Sequence, residues 1–61
     1  MSRKEYNKLV VRAARKFLER DANSLILLQE VIGEVFGKEA PPVAANDILT
    51  LCRQAVLAKS L

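Results

Sequence analysis

Apolar positions recur three and four residues apart along this chain, and no stretch of five or more residues alternates strictly between apolar and polar. Tyr6, Leu9, Val10, Ala13 and Phe17 form one stripe, which predicts a helix over about 3–20. Asp21-Ala22-Asn23-Ser24 interrupts it, with Asn23 or Ser24 placed to cap a second helix. That helix is expected over 25–36, where Leu25, Leu27, Leu28, Val31, Ile32, Val35 and Phe36 cover about half the wheel. So wide an apolar arc needs more than one neighbour, which predicts the second helix at the centre with the other two packed on it. Gly37 is suited to the left-handed conformation that ends a helix, and Pro41-Pro42 stiffens a connector over 38–43. A third helix is expected over 44–60. Ala45, Ile48, Leu51, Cys52, Ala55 and Val56 lie on its apolar face, and Asp47, Thr50, Arg53 and Gln54 on its polar one. The predicted fold class is all-α, a domain of three short helices.

Size changes this picture. For 61 residues, burial of apolar surface contributes on the order of 90 kcal/mol, and ordering the chain costs about 90 kcal/mol. One copy alone is therefore marginal. A single cysteine forms no internal disulfide, and with no histidine the chain builds no tetrahedral zinc site. Association remains. A composition of 51% hydrophobic residues points the same way, so the expectation is a homodimer. The face of the second helix carrying Leu27, Val31 and Val35 is the expected apolar association surface. No apolar run follows the basic first residues, and the longest aliphatic run is Leu25-Ile26-Leu27-Leu28. Neither a secretory signal nor a membrane span is expected, and the cytoplasm is the expected compartment.

Charge is split along the chain. Residues 2–20 carry Arg3, Lys4, Lys8, Arg12, Arg15, Lys16 and Arg20 against Glu5 and Glu19, a net +5, whereas residues 21–61 carry a net −2. Lys4, Lys8, Arg12 and Lys16 follow one another at i, i+4, a repulsion that costs roughly 1 kcal/mol in all. An acidic ligand would turn that cost into attraction. Lys4, Lys8, Arg12, Arg15 and Lys16 are accordingly the candidate contacts to an acidic protein partner or to phosphates. The plainer alternative is a hydrated face whose long stems cover apolar flanks.

Nucleic acid would use Arg53 and Gln54 as candidate base contacts. Against it, Tyr6, Phe17 and Phe36 all lie on apolar stripes and are expected in the core, away from any stacking surface. The second helix also opens with four aliphatic residues, and the connector before the third is long for a helix-turn-helix. A membrane-surface role is disfavoured because the first helix lacks tryptophan and its stripe is thinned by alanine.

Catalysis has little to draw on. Without histidine there is no Ser-His or Cys-His pair, and Cys52 lies at core spacing with Ile48 and Ala55. Glu30 and Glu34 are the only carboxylates on successive turns of one helix, and Glu34 also precedes Lys38 by four. Gly33 sits inside a predicted helix at a cost of about 1 kcal/mol, through either close approach at a dimer contact or simple tolerance. No catalytic, metal or cofactor-binding residue is assigned, and no small-molecule substrate is expected. The expected function is a small non-enzymatic regulator, inhibitor or adaptor that binds protein, with the basic helix steering it to an acidic partner. The alternative is a nucleic-acid-binding transcriptional regulator that grips phosphates through the same helix.

Overall fold

Serines open two of the helices. The Glu5 N–H donates to the Ser2 hydroxyl at 3.1 Å, and Glu5 itself places an acid in the first turn, where the helix dipole favours it. The computed structural model describes residues 1–20 and 24–60. Among these it contains α1 (Arg3–Glu19), α2 (Leu25–Phe36), a 3-10 turn (Gly37–Glu39) and α3 (Ala44–Ser60), with no strand. Ser24 caps α2 by accepting the Ile26 and Leu27 N–H groups at 3.2 and 3.5 Å; Asn23, the other candidate cap, lies outside the described residues. Gly37 ends α2 with φ +65° and ψ −138°, and its N–H returns to the Gly33 carbonyl. The positive φ is the one glycine tolerates, but ψ is far from the left-handed helical value of about +47°. The chain thus leaves α2 by a different route from the one expected, through a 3-10 turn. Beyond the prolines, the Ala44 N–H donates to the Pro41 carbonyl at 3.1 Å and the Asp47 N–H to Val43 at 3.0 Å, which starts α3.

The central helix is α1, not α2. It packs against both of the others, while α2 and α3 touch each other least. Val10, Ala13, Ala14 and Phe17 are its buried residues. Ala13 and Ala14 are both buried, and small side chains at a crossing permit a short interaxial distance. The Phe36 ring lies 5.8 Å from that of Tyr6, yet Glu34 reaches Lys16 and Arg20. Neighbouring residues of α2 therefore meet positions ten and more residues apart on α1, so α2 lies across α1 rather than along it. The pairings Tyr6–Asp47 and Ala14–Cys52 climb α1 and α3 in the same direction.

This arrangement overturns the expected association face. Val31 is fully buried, and Leu27 and Val35 are half-buried against the core. The arc that α2 turns inward is centred on Leu28 and extends to Val31, Ile32 and Phe36, so crossing α1 consumes the very positions expected outside. The apolar surplus surfaces elsewhere. Leu25 and Ile26 are 73% and 75% exposed, and Val56 and Leu57 are 53% and 65% exposed. Val56 continues the buried row Ala44, Ile48, Cys52 by one more turn and shares a groove with Phe17 and Leu18 at the end of α1.

Candidate functional site

Lys4, Lys8, Arg12 and Arg15 stand exposed on the outer face of α1. None of the four makes an ion pair among the described residues. At 1.5 Å rise per residue they form a cationic row about 16 Å long. Between their stems runs a depression of about 720 Å³, with Val11, 40% exposed, on its wall. Every wall comes from α1 alone. It is an open channel between long side chains rather than an enclosed cleft.

Lys16, the fifth expected contact, also borders this channel but is held from the other side. Its Nζ lies 3.8 Å from Glu34, and one Arg20 terminal nitrogen lies 3.0 and 3.1 Å from the two Glu34 oxygens. Glu34 is therefore occupied by two cations of α1. Lys38 stands beyond Gly37 in the 3-10 turn, and its expected pairing with Glu34 gives way to these contacts. Of the carboxylate pair Glu30–Glu34, Glu34 is paired with these cations and Glu30 is exposed. Among the described residues, no group of three or more metal-ligating side chains comes together.

Arg53 and Gln54, the candidate base contacts, are both exposed but turn to different sides of α3. Gln54 shares a depression with Asn7, Val11, Asp47 and Thr50 and so borders the cationic face. Arg53 sits on an apolar groove with Leu18, Val56 and Leu57. The Thr50 hydroxyl is turned back to the Asn46 carbonyl at 2.9 Å. These residues form no joint reading surface.

Phe17 and Phe36 are buried, and Tyr6 is half-buried with its ring on Phe36. The Tyr6 hydroxyl donates to Asp47 on α3. Burial first, then the hydrogen bond and the charge of Asp47, push the phenol pKa up to about 12. Sequence reading missed this clasp. Its partners are 41 positions apart, and neither residue type announces the other. The Cys52 thiol donates to the Ala14 carbonyl at 3.7 Å, and burial raises its pKa, which favours the protonated thiol of a packed group. A Cβ added at Gly33 would meet nothing within 4 Å, so among the described residues no neighbouring element approaches it closely. Among the described residues, no helix is long and apolar enough to cross a membrane.

Comparison of the chain with protein-family models, with curated proteins and with solved structures finds no match, so the roles of its residues rest on geometry and charge alone.

Proposed function

We propose that this chain is a non-catalytic binding protein, a small cytoplasmic regulator or adaptor. In this reading it docks on an acidic protein surface through the outer face of α1 and works as a homodimer. One observation carries the proposal. Lys4, Lys8, Arg12 and Arg15 face solvent with no ion pair among the described residues, while Lys16 and Arg20 of the same segment share the carboxylate of Glu34. The i, i+4 repulsion within the row opposes folding and becomes attraction when carboxylates lie opposite. Val11, partly exposed on the same channel wall, adds an apolar contact of the kind a protein surface matches. The buried aromatics leave no stacking platform for single-stranded nucleic acid.

Fluorescence anisotropy at low ionic strength tests this, with labelled polyglutamate and a DNA duplex of equal total charge as probes. The expected result is polyglutamate binding that weakens steeply with salt and falls at least about tenfold in Lys8→Glu/Arg12→Glu/Arg15→Glu, with an unchanged helical circular dichroism spectrum. Tighter binding of the duplex would replace this reading with the nucleic-acid one. Binding of neither probe would overturn both.

A further inference from the structure

We infer that the partner of α1 is an acidic amphipathic helix, with carboxylates along one flank and aliphatic side chains beside them. The inference rests on the acidic-partner reading and gives that partner a shape. Lys4, Lys8 and Arg12 recur about every 6 Å along the axis of α1, and with Arg15 the row runs about 16 Å. Carboxylates four residues apart on a second helix repeat at the same distance, so the two rows stay in step for about three turns. An extended partner is a poorer match. Its backbone N–H and C=O groups need a sheet edge to pair with, and the described residues contain no strand. A helix pairs its own backbone and brings only side chains to the contact.

The surroundings of the row give the partner its apolar flank. The cationic channel adjoins a second depression, of about 310 Å³, between α1 and α3, and Asn7 and Val11 border both. Val11, 40% exposed, therefore stands at the seam, and Val10 and Leu51 add aliphatic carbon to the second depression. From α3 come Thr50 and Gln54, both uncharged, and Asp47, whose carboxylate accepts the Tyr6 hydroxyl. The free cations thus lie on one side of the seam only. A helix laid along it meets cations on one flank, aliphatic carbon beneath its middle and neutral polar groups on the other flank. Glu19 is the one acid lining the channel, and it follows Arg15 by one turn. A partner carboxylate carried past Arg15 meets repulsion there, so the matching acidic stripe ends with the row.

Fluorescence anisotropy at low ionic strength tests this with the intact chain and labelled peptides. The first peptide carries Glu at every fourth position beside a row of Leu. A second has the same composition with Glu spread around the helix, a third is the striped peptide with a central proline, and polyglutamate is the reference. The striped peptide should bind at least about tenfold more tightly than the redistributed one, and proline should cancel the gain. Mixing should raise the helical circular dichroism above the sum of the separate spectra. Val11→Ser, at an exposed position, should weaken the striped peptide about threefold and leave polyglutamate unchanged. Indifference of binding to the redistribution, to proline or to Val11→Ser, with polyglutamate still bound, overturns the helical partner and leaves the acidic-partner reading standing. Binding of no acidic probe, or tighter binding of a DNA duplex of equal charge, overturns both.

Discussion

The cations at the two ends of α1 have different surroundings. Near its C-terminus, α2 passes across the helix and delivers Glu34 to Lys16 and Arg20. Further back, Lys4, Lys8, Arg12 and Arg15 are exposed and make no ion pair among the described residues. Residue type and spacing are nearly the same along the row. What separates the two groups is which face of α1 is covered, and that depends on a crossing between segments far apart in the chain. A charge count along the sequence therefore overstates the free cation total at one end and identifies it well at the other.

The strongest way to break the contrast is to remove the crossing. Ala13 is fully buried where the helices meet, so Ala13→Leu forces the backbones apart. A loss of about 3 kcal/mol is expected in chemical denaturation, the upper range for overpacking. Next in size is the clasp between α1 and α3. Tyr6→Phe removes a hydrogen bond to a charged acceptor and should cost about 1.5 kcal/mol. The phenol pKa is about 12 in the fold, above its ordinary value of 10, so the fold favours the protonated phenol. Its contribution is fully present below pH 10 and fades as pH rises towards 12. Over that window the stability gap between wild type and Tyr6→Phe should narrow, which thermal melts at a series of pH values would reveal; a constant gap would contradict it.

The smallest effects come from the charges themselves and have opposite signs. Glu34→Gln should cost no more than about 0.5–1 kcal/mol, since the paired side chains are about 40% exposed and solvent screens them. It should also add Lys16 and Arg20 to the free row and strengthen polyglutamate binding. Lys8→Glu should do the reverse. Placed between Lys4 and Arg12, it relieves two like-charge pairs, raising stability by a few tenths of a kcal/mol while weakening the acidic probe. If both variants moved stability and binding in the same direction, the division of the row into bound and free cations would be wrong.

Helix ranges were legible because punctuation marks them. Ser24 caps α2, Gly37 ends it, and the two prolines hold the connector out of helix. The observed Arg3–Glu19, Leu25–Phe36 and Ala44–Ser60 stand against 3–20, 25–36 and 44–60 read from periodicity. The packing order was not legible. Arc width measures how much apolar surface a helix offers, and it pointed to α2. The centre is fixed instead by where small residues permit close approach, and Ala13 and Ala14 read from sequence as a weak part of the stripe. The candidate site followed the same division. The cationic row is a local property of one helix and could be read directly, apart from Lys16. The expected face at Leu27, Val31 and Val35 failed because its burial depends on the direction in which α2 crosses α1.

The place of α1 also bears on when the molecule can form. Its contacts with α3 join Tyr6 to Asp47 and Ala14 to Cys52, spans of 41 and 38 positions. At a synthesis rate of about 5–20 residues per second, Asp47 is added some 2–8 seconds after Tyr6. Small helical domains complete folding in microseconds to milliseconds. Between the completion of α2 and the arrival of α3 the nascent chain therefore holds the stripe of α1 covered on one side only, and closure is timed by translation rather than by conformational search.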